Sequence, residues 1–177
     1  GYDKLISTLP LNKMMEMTGL KKGKPDPHVS VLVLNIGAVR GPKCPNDHWL
    51  YIPKSKSGFH RVGFYSNVDP MFAPEGKVAV YVESAYLPDD WNAADNETWL
   101  NRYRRGQTGI ISELQDWGWI KDVEVIDPTF VEIAYTYRWP GSTWREDSLE
   151  LLRKHDIVQT GRFAEWTFCG IVASMRK

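Results

Sequence analysis

Tyr51 and Arg61 stand ten residues apart on two adjacent segments that both have the residue pattern of a β-strand. If these strands pair and the two side chains share a face, the guanidinium can clamp a phosphate or a carboxylate beside a phenol ring. A surface arginine packed beside a tyrosine explains the same pattern, and the local sequence alone favours that simpler interpretation. The pair is therefore a candidate anion-binding site that depends on strand pairing.

A second arginine, Arg162, directly follows Gly161 and precedes aromatic residues, among them Trp166. A glycine lets the backbone approach a bound group closely, and an arginine among aromatic rings can hold a planar or anionic group. The glycine of a helix C-cap or of a strand entry would look the same in the sequence. This segment is a second candidate site with an equally good structural explanation.

The chain contains none of the motifs that form a complete catalytic or metal site by themselves. H-E-x-x-H, paired C-x-x-C, G-x-S-x-G and G-x-G-x-x-G are all absent from the sequence. The four histidines lie at spacings that indicate no shared metal ion; they are His28, His48, His60 and His155. No catalytic residue and no metal ligand is predicted.

Charge and hydropathy exclude several classes of function. The 177 residues carry 22 basic and 22 acidic side chains, whereas binding to nucleic acid phosphates or to an anionic membrane depends on a surplus of Lys and Arg. No apolar run approaches the roughly 20 residues of a membrane-spanning helix. Cys44 and Cys169 are too few to form a disulfide framework. A protein without such a framework is typical of a reducing compartment. The sequence predicts a cytoplasmic protein with no nucleic acid partner and no membrane span.

The elements that must position these residues are strands joined mostly by short loops. Strand patterns cover residues 5–10, 29–37, 48–53, 59–66, 77–86, 123–126 and 129–137. Helical patterns cover residues 11–17, 96–117 and 146–154, and Gly19 ends the first of them. Four of the strands are joined by loops too short for crossover helices, which predicts antiparallel pairing. We expect a single domain over residues 1–177 with an α+β fold: a mainly antiparallel twisted sheet of about six strands, with a few helices on one face.

Six short motifs follow one another in order along nearly the whole chain. They are L-I-S-T-L-P-L at residues 5–11, N-I-G at 35–37, W-L-Y-I-P at 49–53, F-H-R-V-G-F-Y-S-N at 59–67, Y-R-W-P at 137–140 and G-R-F-A-E-W at 161–166. In this order they resemble the flavin-dependent amine-oxidase superfamily, and within it the branch of UDP-galactopyranose mutase and the protoporphyrinogen-oxidase-like proteins.

The resemblance implies an enzyme whose FAD is bound by an N-terminal Rossmann-type domain that opens with G-x-G-x-x-G. Because that fingerprint is absent here, the resemblance covers only the substrate-binding sheet and the return into the flavin domain. We therefore expect residues 1–177 to be part of a larger FAD-dependent enzyme, with residues 1–20 and 157–177 at the edges of the missing flavin domain. A first residue of Gly rather than Met agrees with this expectation. FAD is expected in the full-length parent and not on this chain alone.

Position by position, the resemblance also implies site residues. Tyr51 matches a mutase tyrosine near the nucleotide-sugar, and Arg61 matches the arginine that holds its diphosphate, a task suited to a guanidinium. Trp139 and Phe168 stand where the mutases place tyrosines that contact the diphosphate, and both replacements remove a hydroxyl. The residues that match the family's flavin-facing positions are Gly161, Arg162 and Trp166.

The predicted function is therefore that of the substrate-binding part of an FAD-dependent oxidoreductase or of a mutase-like isomerase, inactive alone. Its expected partners are a small-molecule substrate such as a nucleotide-sugar and a flavin domain, since the cofactor carries the chemistry in such enzymes. Two other classes stay open. The chain could be a stand-alone binding module for a nucleotide-sugar or carbohydrate, or a structural partner that assembles with a separately encoded flavin domain.

Overall fold

A computed structural model describes residues 2–20, 23–87 and 96–175, and for residues 96–105 it describes the backbone. The chain divides into two compact units. The sheet unit comprises Ser30–Glu132, and the terminal unit comprises Gly1–Val29 together with Ile133–Lys177. Helices and strands occur in both, and the predicted α+β class is confirmed.

Most residues of a five-stranded antiparallel sheet belong to the sheet unit. The strands are β2 (His28–Arg40), β3 (Trp49–Tyr51), β4 (Arg61–Phe64), β5 (Lys77–Tyr86) and β6 (Ile120–Thr136). Their order across the sheet is β3-β4-β5-β2-β6. The β3–β4 hairpin follows from the short polar loop between its strands, which leaves no room for a crossover helix. The predicted antiparallel pairing is thus confirmed.

One face of this sheet is a hydrophobic core. Valine side chains of β5 alternate with polar or small ones, so that Val78, Val80 and Val82 all point to the same face. Helix α3 (Asn96–Asp116) contributes Ile110 and Leu114 to the same buried cluster. The opposite face carries the other half of each strand's side chains, of which Val31 and Glu83 are buried while Trp49 and Tyr51 are exposed.

Two sequence predictions need correction. The strands predicted at 123–126 and 129–137 form one strand, β6, because the backbone stays extended through Pro128. A proline is tolerated at that position because β6 is an edge strand, whose outer side needs no ladder hydrogen bond. The strand predicted at 59–66 is shorter than expected, since the chain turns after Phe64 into a single helical turn, α2 (Tyr65–Val68).

The terminal unit has its own core. Its elements are β1 (Leu5–Ser7), α1 (Leu11–Thr18), α4 (Trp144–Arg153), β7 (Ile157–Gln159) and α5 (Ile171–Met175). β1 and β7 pair in parallel, and α1 ends as predicted at Gly19, whose φ of 70° suits glycine. The buried cluster comprises Leu11, Met14, Met15, Ile133, Trp144, Leu149, Leu152, Ile157 and Trp166. In the part of the chain that the structure describes, no helix combines the length and the apolar character that crossing a membrane requires.

Glu113 of α3 fixes the loop that joins β3 to β4. Its buried carboxylate accepts hydrogen bonds from the backbone N–H groups of Lys56 and Ser57, both at 2.9 Å, and from the Ser55 hydroxyl at 3.0 Å. Burial alone would raise the pKa of this carboxyl, but the hydrogen bonds from the loop outweigh it and hold the pKa below its ordinary value of 4.5. The ionised carboxylate therefore stabilises the loop.

We expect Glu113→Gln to lower the free energy of unfolding by about 2 kcal/mol at neutral pH, because it removes a charged acceptor of several hydrogen bonds. Since the pKa is lower in the folded chain than in the unfolded chain, this contribution is complete above about pH 4.5 and disappears as the pH falls through the folded value. Urea denaturation of both proteins between pH 3 and pH 7, roughly the range in which a carboxyl titrates, measures the difference.

The matched control is Glu150→Gln, which removes an exposed carboxylate of α4 that pairs with Lys154 at 2.8 Å. An exposed pair of this kind contributes little to the free energy of unfolding, because water screens both charges. Equal losses in the two variants, or a loss at Glu113 that does not diminish in acid, would contradict the role assigned to this carboxylate.

Candidate functional site

The partly exposed face of the sheet unit brings Tyr51 and Arg61 side by side. Tyr51 of β3 lies directly opposite Arg61 of β4, and Arg61 lies directly opposite Glu83 of β5. The predicted pairing of the two strands is confirmed. We call two adjacent rows on this face the platform: Tyr51, Arg61, Glu83 and Val33 form one row, and Trp49, Gly63, Tyr81 and Asn35 form the next.

Glu83 holds the Arg61 guanidinium in place. The two side chains form an ion pair, and Glu83 is only 7% exposed, so the carboxylate is largely removed from water. The guanidinium carbon lies 6.0 Å from the centroid of the Tyr51 ring and 5.8 Å from that of Tyr81. An arginine fixed by a carboxylate and flanked by two rings presents its donors in one orientation.

Two further groups near Glu83 have altered acidity. Burial lowers the pKa of His60, and Arg61 acts in the same direction, while Glu83, whose Oε2 lies 3.7 Å from His60 Nε2, partly opposes them. Burial also raises the pKa of Tyr65, and Glu83 adds to that shift. At neutral pH the imidazole is therefore mainly uncharged and the phenol keeps its proton.

Gly63 makes room for the Tyr81 ring. A Cβ atom at this position would lie 2.0 Å from two carbon atoms of that ring, far inside contact distance. The ring therefore lies across β4, where Tyr65 packs against it with the ring centroids 4.8 Å apart. Trp49 and Tyr51 lie on the edge strand β3 and are exposed by 53% and 65% respectively.

The terminal unit contains a separate cavity of about 440 Å³. Its lining residues are Thr136, Tyr137, Arg138, Arg145, Trp166, Thr167 and Phe168. The Glu146 carboxylate accepts hydrogen bonds from Arg138 at 2.8 Å and from Arg145 at 3.0 Å, so one acidic group bridges the two basic ones. Phe168 is 70% exposed, which gives this cavity an apolar wall.

Arg162 is bound to the backbone of its own unit. It donates hydrogen bonds to the carbonyl oxygens of Ala134 at 3.1 Å and Cys169 at 3.4 Å. Its guanidinium carbon lies 4.8 Å from the centroid of the Phe168 ring. Gly161, which precedes it, has a φ of 97°, a conformation that favours glycine. The geometry shows that this pair of residues holds the chain after β7 in place.

The two tryptophans predicted to contact ligands differ in their surroundings. Trp166 is 2% exposed and packs edge-on against Trp144, with ring centroids 5.4 Å apart. Trp139 is 45% exposed, and the Lys24 ammonium lies 5.3 Å from the centroid of its ring. The Trp139 backbone N–H donates to a carboxylate oxygen of Asp26 at 3.3 Å, which fixes the chain at this point.

The structure thus brings together Tyr51 and Arg61 in the sheet unit, and Phe168, Trp166 and Arg162 in the terminal unit. Sequence reasoning missed Glu83 and Tyr81. The alternation of valines with other residues between Lys77 and Tyr86 contained the signal, since it assigns both side chains to the face opposite the core. Among the described residues, no cluster of three or more His, Cys, Asp or Glu side chains could hold a metal ion.

Solved structures with this fold include proteins named as a mutase, an oxidase and an oxidoreductase. A reduced UDP-galactopyranose mutase matches with a TM-score of 0.68 at 22% identity, over 95% of this chain and 38% of its own. A protein named as a protoporphyrinogen oxidase, from Exiguobacterium sp. 255-15, matches with a TM-score of 0.65 at 8% identity, over 97% and 39%. An oxidoreductase from Methanosarcina mazei matches with a TM-score of 0.53 at 15% identity, over 99% of this chain and 43% of its own.

The chain therefore spans about two fifths of the length of these proteins. The fold expected from the six motifs is confirmed, and at these identities the likeness shows the fold alone. No protein-family profile matches the sequence. No curated protein sequence is significantly similar to it.

We expect Gly63→Ala to lower the free energy of unfolding by about 2 kcal/mol, because the new methyl group overlaps the Tyr81 ring. In a Tyr81→Ala background the same substitution should cost almost nothing, since the obstructing ring is gone. Denaturant unfolding of the two single variants and the double variant measures this coupling.

Gly37→Ala is the matched control. Gly37 is also a strand glycine, but a Cβ there would lie 3.4 Å from the Val125 side chain, an ordinary contact. It should destabilise the chain less than Gly63→Ala does. If Gly63→Ala were equally costly with and without the Tyr81 ring, the ring would not be the reason for the glycine.

Proposed function

We propose that this chain is the substrate-binding part of a larger FAD-dependent enzyme, an oxidoreductase or a mutase similar to UDP-galactopyranose mutase. The observation that carries the proposal is the platform, where Glu83 orients Arg61 between the rings of Tyr51 and Tyr81. An oriented guanidinium beside exposed aromatic faces is suited to recognise a small polar ligand that contains a ring. The fold shared with part of a mutase and of two proteins named as oxidases or oxidoreductases supports this function.

Within this proposal the substrate is a nucleotide-sugar. Tyr51 offers its ring face, and Arg61 donates hydrogen bonds to oxygen atoms of the substrate. Trp139 and Phe168 remain proposed substrate contacts of the terminal unit, where their exposure of 45% and 70% leaves apolar faces accessible. Binding and orientation of the substrate are the tasks assigned to this chain.

The residues predicted to face the flavin do not build a flavin site by themselves. Trp166 is buried against Trp144 and offers no open ring face. Arg162 donates to two carbonyl oxygens of its own unit, and Gly161 provides the turn that this contact needs. We infer that the rest of the enzyme holds the flavin, and that Gly161, Arg162 and Trp166 shape the cavity wall formed by Phe168.

In this proposal the flavin performs the chemistry and this chain positions the substrate. A flavin, when bound, supplies hydride or electron-pair chemistry that amino-acid side chains lack. The side chains of this chain then act by position: Arg61 fixes polar atoms of the substrate, and the rings of Tyr51 and Tyr81 exclude water from beside the guanidinium. The chain alone is therefore proposed to bind substrate and to be catalytically inactive.

A second candidate function is that of an assembly partner for a separately encoded flavin domain. β1 and β7 form a parallel sheet of only two strands, and the Ile6 side chain of β1 is 69% exposed. Parallel sheets occur with both faces covered, so this pair is suited to contact another α/β layer. This candidate, unlike the first, requires that the chain co-purify with a G-x-G-x-x-G protein from its natural source.

We expect Arg61→Gln to weaken binding of UDP-galactose to the chain by about tenfold or more, because a charged, partly exposed hydrogen-bond donor of the site is lost. Isothermal titration calorimetry measures the dissociation constant. The control is Arg153→Gln, which alters an exposed arginine on α4 and should leave the constant unchanged. Equal affinities for the wild type and Arg61→Gln would contradict the assignment of the platform as the substrate site.

Addition of FAD at micromolar concentration should give no stoichiometric yellow complex with the chain, since Arg162 and Trp166, which match flavin-facing positions, make their contacts within their own unit. Absorbance of the protein fraction after gel filtration measures bound flavin. A one-to-one complex would show that the chain is a flavoprotein on its own, and the proposal of a substrate-binding part would then be wrong.

A further inference from the structure

The platform has no net formal charge. Of its eight residues, only Arg61 and Glu83 are charged, and they neutralise each other as an ion pair. His60, the other basic group that contacts Glu83, is mainly uncharged at neutral pH because burial lowers its pKa. The electrostatic attraction that this surface exerts on an anion is therefore weak.

A diphosphate is poorly suited to such a surface. Its oxygens are hydrogen-bond acceptors that carry negative charge, and a group bound to the Arg61 guanidinium would lie beside the buried carboxylate of Glu83. The charge of Glu83 would repel it, and Glu83 cannot leave Arg61 without losing the charged partner of its buried carboxylate. The positive charge of the guanidinium is thus already neutralised by Glu83 before a ligand binds.

An uncharged sugar ring matches the same features. Its hydroxyl oxygens accept hydrogen bonds from Arg61 without repulsion from Glu83. Trp49 and Tyr51 lie two residues apart on β3 and hence point to the same face, about 7 Å apart along the strand. Both rings are more than half exposed, and they offer apolar area of the size that the C–H face of one sugar ring covers.

We infer that the platform binds the sugar ring of the substrate, by stacking on Tyr51 and Trp49 and by hydrogen bonds from Arg61, and that it does not hold a diphosphate. This inference rests on the proposed function in taking the platform as a substrate site. It departs from the role that the family resemblance implies for Arg61, which is that of a diphosphate clamp.

Three probes separate the parts of a nucleotide-sugar: methyl galactopyranoside, UDP and UDP-galactose. Titration of the 177-residue chain, followed by ¹H–¹⁵N NMR and calorimetry, should show that methyl galactopyranoside shifts the signals of Tyr51 and Arg61 while UDP leaves them unchanged. The affinity for the sugar should change less than about twofold between low and high salt, since no net charge is neutralised.

Tyr51→Ala should weaken binding of methyl galactopyranoside at least fivefold, because one stacking face is lost. Tyr2→Ala is the matched control, since Tyr2 is a similarly exposed tyrosine of the terminal unit, and it should have no effect on this constant. Both side chains are more than half exposed, so neither substitution should prevent folding, which thermal melting verifies.

Glu83→Gln tests the charge argument directly. Without the carboxylate the platform gains one positive charge, and its affinity for inorganic pyrophosphate should rise at least tenfold relative to the wild type. If this variant does not fold, Glu83→Asp, which keeps the charge, should fold and should show no gain for pyrophosphate.

The outcomes distinguish the two proposals. Tight binding of UDP or pyrophosphate to the wild-type platform, dependent on Arg61, would overturn the inference while leaving the platform as a substrate site. Failure of all three probes to affect the platform would overturn both the inference and the proposed function. Sugar binding that is lost in Tyr51→Ala and kept in Tyr2→Ala supports both.

Discussion

The ion pair between Glu83 and Arg61 is the constraint on which the platform depends. It joins two neighbouring strands at directly opposite positions, and it removes a carboxylate from water almost completely. Loss of Arg61 would leave the buried carboxylate of Glu83 without its arginine, at a cost of about 3–5 kcal/mol, more than most single contacts contribute. The pair therefore fixes the orientation of the guanidinium, and the two flanking rings can pack only against that orientation.

The sheet can include this ion pair because the apolar core lies on one face and the ion pair lies on the other. Valines of β5 and the apolar side chains of α3 belong to the buried cluster on one face, which leaves the other face able to carry polar side chains. The platform face can then include Gly63, whose missing side chain lets Tyr81 lie across β4. A glycine within a strand is usually unfavourable, and here the packing of the tyrosine ring offsets that cost.

Sequence reasoning predicted the strands of the platform and the antiparallel pairing of neighbouring strands, because a short loop between two strand segments allows one simple hairpin. It raised the contact of Tyr51 with Arg61 only on the condition that the two side chains share a face. It did not predict Glu83 as the partner of Arg61, since β5 is separated from β4 by a helical turn and a loop whose path no local pattern specifies. The sequence also did not predict that Gly63 makes room for an aromatic ring, because that role depends on Tyr81 of the neighbouring strand. For Trp166, the sequence indicated an aromatic residue at a family position but not its burial against Trp144, which only the packing of the terminal unit determines.

A neutral binding surface has consequences for how a substrate is selected. A cationic site would attract every nucleotide and phosphate in the surroundings. It could then discriminate among these ligands only by steric clashes with the wrong ones. A surface with a compensated arginine attracts anions weakly, so affinity depends on ring stacking and on hydrogen bonds that need correct geometry. Such a site gains specificity from the shape of the ligand, whereas charged parts of the same substrate require cations elsewhere in the enzyme. The recognition of the uncharged part that we propose for the platform can therefore be separated physically from the flavin chemistry that the larger enzyme is proposed to perform.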